Sequence, residues 1–186
     1  MMRRAGLTAL LGVVVLLAAC GGKSPAQLAV DELNAGLASS GDQALAHFKA
    51  CVKLDPSNQF CIYDLGVIAH RAGRLSEAEN DYRVALTLDP NFPSALFNLA
   101  LIRAGVGSVD EAIDLYRRLI ALRPDEVSGH LQLGLLLRAN GKVAEGEQEL
   151  AKAKLIDPNL VIATFMPEAS PTPVEATPVE ATPTPK

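Results

Sequence analysis

The 186-residue chain carries little with which to do chemistry. It has three histidines and three cysteines, and it contains no His-Glu-x-x-His, Gly-x-Ser-x-Gly, Walker loop or Cys-x-x-Cys. Those absences remove the zinc-protease, serine-hydrolase, nucleotide-phosphate and dithiol chemistries that these motifs support. His47, His70 and His130 are far apart in sequence, and no pair has metal-ligand spacing. Asp110, Glu111, Glu145, Glu147 and Glu149 read as solvated helix faces, helped by the macrodipole where they stand at helix starts. Without a nucleophile–base pair or a metal cluster, the expectation is a protein that is not an enzyme and holds no cofactor and no metal. Basic stripes are missing too: the formal charge is −4 and dispersed, which disfavours nucleic acid as a partner. The apolar stretch from Leu7 to Ala19 is too short for a bilayer, which needs ~20 residues.

That short stretch has a different use. Arg3 and Arg4 precede it and small residues follow, the order of an export signal. The site Leu17-Ala18-Ala19-Cys20-Gly21 resembles the bacterial lipobox. The resemblance implies a lipoprotein signal peptide over 1–19, with the Cys20 thiol acylated and Cys20 becoming the first residue; an ordinary signal peptide with an incidental cysteine is the alternative. Ala5 and Gly6 stand where a twin-arginine signal would have apolar bulk. Residues 20–24 form a short tether, so the bilayer becomes a partner of the chain and the rest sits close to it. Glycine rather than aspartate after Cys20 argues, by resemblance to Gram-negative lipoproteins, against inner-membrane retention. The expected location is therefore an outer membrane or the outer face of the cell membrane, with the bulk in the periplasm or outside the cell. Taking Arg3 and Arg4 from the 17 basic residues leaves 15 against 21 acidic ones.

The chain is organised by a period. Pro56, Pro90, Pro124 and Pro158 stand 34 residues apart. A fixed spacing of this size marks stacked units rather than one globular core. Each proline ends a helix. Twelve residues before them stand the small Ala44, Ala78, Ala112 and Gly146; eight before stand the bulky Phe48, Tyr82, Tyr116 and Leu150. A second helix precedes each of these, with Leu65-Gly66, Leu99-Ala100 and Leu133-Gly134 at one site and the cap glycines Gly73, Gly107 and Gly141 at another. The pattern predicts helices over 25–38, 42–54, 59–72, 76–88, 93–106, 110–122, 127–140 and 144–156. In the first unit Gly41 lies only three residues before Ala44, which predicts a shorter turn there.

Leu65-Gly66, Ala78, Tyr82 and Pro90, and Leu99-Ala100, Ala112, Tyr116 and Pro124, occur in the order of the tetratricopeptide repeat (TPR) family, which the chain resembles over about 25–160. The resemblance implies an all-α fold: a right-handed superhelical solenoid of about four helix-turn-helix repeats, with units 25–58, 59–92, 93–126 and 127–160. It also implies a concave groove lined by the first helix of each unit, with Phe60, Tyr63, Val67, His70, Phe97, Asn98, Leu101, Leu131, Leu135 and Arg138 as groove-binding residues. Tyr63 and Val67 stand where a carboxylate-clamping member has lysine and asparagine, so only Asn98 of that clamp is present. The apolar strip that remains suits an amphipathic helix or extended apolar peptide. His130 stands where the family carries an aromatic and reads as a packed neutral imidazole, while His47 reads as solvated. Cys51 and Cys61 flank the Pro56 turn at equal distance, on helices that such a turn brings together. Either a disulfide or two buried thiols fits them.

The C-terminus changes character. Residues 161–166 are apolar and read as a truncated cap on the last unit, packed near Leu150, Ala153 and Lys154. From Pro167 to Lys186 the composition collapses to mostly Pro, Thr, Glu, Ala and Val, a Pro/Thr-rich tail expected to be disordered. Anchor and array together give a membrane-anchored adaptor or scaffold binding an envelope protein or peptide. A pilotin-like factor for secretin or pilus assembly is the second reading. A regulator or recruiter of an envelope protease or peptidoglycan hydrolase is the third.

Overall fold

The computed structural model describes residues 22–162; the signal segment, Cys20, residues 163–166 of the expected cap and the tail 167–186 lie outside the described residues. The described part is all-α: α1 Pro25–Leu37, α2 Gly41–Leu54, α3 Gln59–Arg71, α4 Leu75–Leu88, α5 Pro93–Gly105, α6 Val109–Leu122, α7 Val127–Ala139 and α8 Val143–Ile156. Each expected helix is found with ends shifted by about one residue. The helices pack chiefly against their neighbours in sequence, pairing as α1–α2, α3–α4, α5–α6 and α7–α8 and stacking into a right-handed superhelical solenoid. No described helix is long and apolar enough to cross a membrane.

Local chemistry sets the turns. Within units two to four, Gly73, Gly107 and Gly141 take φ of 73°, 81° and 79°, the left-handed region that β-carbons resist. The following amides close Schellman bonds, Arg74 N–H to Ala69 O, Ser108 N–H to Arg103 O and Lys142 N–H to Leu137 O, at 2.8–2.9 Å. Between units, Asp55, Asp89 and Asp157 each open a turn whose next residue is proline. Their carboxylates accept from the amides of Ser57, Asn91 and Asn159 at 2.9–3.0 Å, which explains why aspartate precedes three of the four prolines.

The first unit departs from the expectation. Its turn is not shorter: α1 and α2 are separated by residues 38–40, as α3 and α4 are by 72–74. Ser39 stands where the other units have glycine, and its hydroxyl donates to Ala35 O at 2.8 Å, taking the carbonyl that a Schellman amide would take. The positive φ moves to Gly41, at 56°. The close-approach glycine also moves. Gly36 lies against Phe48, one helical turn beyond the place that Gly66 holds against Tyr82 in the next unit.

The core is uneven. One large cluster joins units two to four through Tyr82, Leu96, Ile113, Tyr116, Leu119, Leu133 and Leu137. Ala29 and Cys51 of the first unit form a small separate cluster with Cys61 of unit two. At the far end, α8 presents Glu147 and Lys154 one period after the core-facing Ile113 and Ile120 of α6, so its outer side is largely polar. Ile162 comes back over that side and borders a pocket with Leu150 and Lys154.

Glycine at position 146, where the other units have alanine, follows from the packing of the last unit. A β-carbon there would lie 2.7 Å from the Gly134 carbonyl oxygen and 2.9 Å from the Arg138 nitrogen, both backbone atoms. Gly146→Ala restores the residue of the other three units, yet it is expected to lower unfolding free energy by about 1–2 kcal/mol. Overpacking costs ~1–3 kcal/mol and the helix-propensity gain returns at most ~1. Urea melts of the variant check this; a gain in stability would show that α7 and α8 can move apart freely.

Candidate functional site

The first helices of units two to four carry the candidate groove. An aromatic cluster builds its upper part. Phe60 meets Phe92 edge-on at 5.4 Å, and Tyr63 touches Phe92 at 4.9 Å and Tyr82 at 5.6 Å. The Asn98 amide donates to the Tyr63 hydroxyl at 2.9 Å, so the one clamp residue that sequence matches is already engaged within the protein. Tyr63, Phe97 and Asn98 border a cavity of about 300 Å³, which Arg123 and Glu126 also line. Phe60 remains half exposed at 48%.

The ten sequence-derived groove residues do not form one pocket. Leu101 and Leu135 border a second cavity, of about 250 Å³, between α5 and α7. Arg138 reaches Glu147 at 3.2 Å and belongs to a third, beside Leu150. Tyr63, Val67, Phe97 and Leu101 are partly buried and also pack on the main core. Phe60, Val67, His70 and Leu131 border none of these three cavities. Sequence reasoning missed Arg123 and Glu126, which come from the one inter-unit turn whose proline is not preceded by aspartate. That departure was the available signal.

Asp64 shares α3 with Tyr63. Burial pushes its carboxyl up to about 6, against the opposing field of Arg71. The folded state therefore binds a proton more tightly than the unfolded chain, whose aspartates titrate near 4. Its ionised form costs stability above pH 6, and the cost is relieved as pH falls from about 7 to about 4. Asp64→Asn is expected to raise stability at pH 8 by about 1–2 kcal/mol, discounted for partial exposure. It should also abolish this residue's contribution to the gain on going from pH 7 to 5. Thermal melts across that range read both effects, and parallel profiles for the two proteins would refute the assignment.

The histidines need correction. His47 is not simply solvated: its ring nitrogen contacts Glu32 at 2.7 Å. His70 lies 3.5 Å from the Tyr82 hydroxyl. His130 is buried, with Nδ1 2.6 Å from Glu149 and Nε2 2.9 Å from the Pro124 carbonyl. Burial pushes the Glu149 carboxyl up, but hydrogen bonds from Lys152 and His130 outweigh it and hold the group below its ordinary range. Both ring nitrogens thus have an oxygen partner inside the protein. The ring is packed, as expected from sequence, but Glu149 is not a solvated surface carboxylate.

A ring of charge links units two and three. Arg83 pairs with Glu79 and with Glu111 at 2.8 Å, and Arg103 pairs with the same two carboxylates at 3.0 and 2.6 Å. It reads as structural. No group of three or more potential metal ligands occurs among the described residues.

A family model described as tetratricopeptide repeat matches residues 38–95 and 97–160. No protein of curated function matches the sequence. Among solved structures, a crystal structure of MamA protein shares 21% identity over 72% of this chain and 78% of that one, with a TM-score of 0.61. MamA 41-end from Desulfovibrio magneticus RS-1 shares 20% over 73% and 77%, with 0.63. A tetratricopeptide repeat protein from Parabacteroides merdae ATCC 43184 shares 24% over 75% and 56%, also with 0.63. At these identities the structural likeness speaks for the fold.

Proposed function

The chain belongs to the tetratricopeptide repeat family, and on that premise we propose that it is a non-enzymatic adaptor of the bacterial cell envelope, anchored in a membrane by acylated Cys20 and gripping a peptide or helix of another envelope protein in its groove. Repeats of this family act as protein-interaction scaffolds. The observation that supports a groove role here is the cavity bordered by Tyr63 and Phe97, with the half-exposed Phe60 joined to Tyr63 through Phe92. Aromatic groups that are rigid, partly wet and already packed on one side are the usual anchors of a partner. The lipobox-like sequence before Cys20 supports the anchor.

Two measurements test the two halves. Capture of partners from detergent-solubilised envelopes by wild-type protein should be lost in a Tyr63→Ala/Phe97→Ala variant of unchanged helicity; retained capture moves the site elsewhere. Cys20→Ser should leave an unprocessed or soluble precursor. Detergent partitioning identical to wild type removes the anchor while leaving the groove untouched.

A further inference from the structure

The first helix of each later unit turns one side toward the unit before it. Asn98 donates to Tyr63, a β-carbon on Gly129 would meet Leu119 and Ile120, and His130 reaches the Pro124 carbonyl. Counted back by the 34-residue period, these positions fall on Val30, Gln27 and Leu28 of α1. Cys61, bonded to Cys51 across the first junction, also counts back to Gln27. Among the described residues no unit precedes α1, so this flank is bare. Leu28 is 40% and Val30 49% exposed, and Ala26, Gln27 and Val30 line a surface hollow. The end of a stacked array has to be covered or polar, and this end is neither.

The length of chain before the helix decides what lies against it. On the reading that acylated Cys20 opens the mature chain, only residues 20–24 precede α1, too few to fold into a cap. Half of that tether is held to the flank itself. Ser24 caps α1 through a reciprocal pair with Gln27, and Lys23 pairs with Asp31 at 2.6 Å. Three Cα steps remain from Lys23 back to Cys20, a reach of at most ~11 Å. The bare flank therefore starts within about one helix diameter of the acyl chains. A second copy fits this flank less well. Three apolar side chains fall far short of the ~800 Å² that each partner of a stable pair buries. The other end of the array offers Glu147 and Lys154, and Ile162 already crosses it.

Building on the anchor reading above, we infer that this flank of α1 is a membrane-contact surface: Ala26, Leu28 and Val30 rest at the boundary between headgroups and acyl chains of the bilayer that holds Cys20. So small an apolar face would not draw the protein to lipid from solution, but the anchor presents it at high effective concentration. Lys23 and Asp31, which border the hollow, neutralise each other, so apolar contact rather than headgroup charge selects the surface. The array then stands on its first unit and carries the groove of units two to four away from the bilayer.

The chain has no tryptophan, so a single one reports its own surroundings. Ala26→Trp places it on the flank and Lys154→Trp at the far end, both at exposed positions. The exported, processed proteins are reconstituted with vesicles of phosphatidylethanolamine and phosphatidylglycerol, with or without bromine on the acyl chains. Bromine there quenches only a tryptophan that enters the bilayer. Emission from Ala26→Trp should shift to the blue and lose most of its intensity in brominated vesicles, while Lys154→Trp stays bright. Adding Leu28→Asp/Val30→Asp to Ala26→Trp should abolish the quenching, because carboxylates resist leaving water, while the protein stays helical and still floats with the vesicles. Quenching that survives this double substitution arises from the tether or the reporter alone and overturns the contact. A blue shift without quenching, lost when the protein is diluted to single copies on vesicles, also overturns it and puts a second copy on the flank. Unquenched Ala26→Trp on protein that floats removes the contact and leaves the anchor standing. Processed protein that does not float removes the anchor and the contact together.

Discussion

His130→Ala is expected to lower the unfolding free energy by about 3 kcal/mol, more than any other single substitution considered for this chain. The side chain is 6% exposed and the facing Glu149 side chain 13%. Deleting the ring strands two groups at once: a carboxylate that loses its buried partner, and the Pro124 carbonyl, which loses its donor. Removing one member of a buried pair costs far more than the pair contributes, because the survivor stays desolvated. Lys152 remains on Glu149 at 2.8 Å from the solvent side and limits the damage. Pairing Glu149→Gln with His130→Ala should recover part of the loss, since no charge is then left buried. Guanidinium melts of the three variants measure this. A loss below about 1 kcal/mol in His130→Ala would mean that Glu149 turns out to water on its own.

Much of the fold was legible because proline and glycine act locally. A proline that cannot continue a helix, and a glycine that takes a left-handed φ, mark ends whatever they pack against. All eight helices followed from them. The first unit was misread where this logic was stretched. Gly41 looked like the cap glycine, but Ser39 satisfies the helix end through its hydroxyl, and a serine in that role has no unique sequence mark. Gly146 read as one more small residue at its site, and only the Gly134 backbone opposite it shows why alanine is kept out.

The candidate site was legible by face and illegible by partner. The period assigned Tyr63, Phe97, Leu101 and Leu135 to the correct helices, but which of them share a cavity depends on side chains from the neighbouring second helices and turns. The pairing of His130 was out of reach for the same reason. Glu149 is 19 residues away on another helix, and its role depends on a distance of 2.6 Å that no spacing rule contains.

Cys51→Ala/Cys61→Ala is expected to cost about 2.5 kcal/mol and to concentrate the loss in α1 and α2. In the structure the two cysteines are joined, their Cα atoms 6.2 Å apart and both fully buried. Closing a loop of about ten residues removes roughly that much entropy from the unfolded chain. The same junction is built without sulfur further along, by Ala85 against Ala95 and by Leu119 against Gly129. The double alanine variant therefore copies a junction that the array already tolerates and removes only the bond. The first junction needs that bond because it has little else. Its cluster holds Ala29 and the two cysteines, with Leu33, Val52 and Leu54 at the edge, whereas units two to four share a large continuous core. In a stacked array each unit leans on its neighbour, so a weak end unit frays first. Amide hydrogen exchange should speed up across 25–54 in the variant while α5 to α8 keep their protection. If exchange rises uniformly along the chain, the array unfolds as one unit and the bond is not a local staple. If alkylation of unfolded, unreduced protein recovers both residues as free thiols, the bond itself is absent. In wild type, burial of both sulfurs makes this opening a precondition for reduction, so dithiothreitol should attack no faster than α1 and α2 separate.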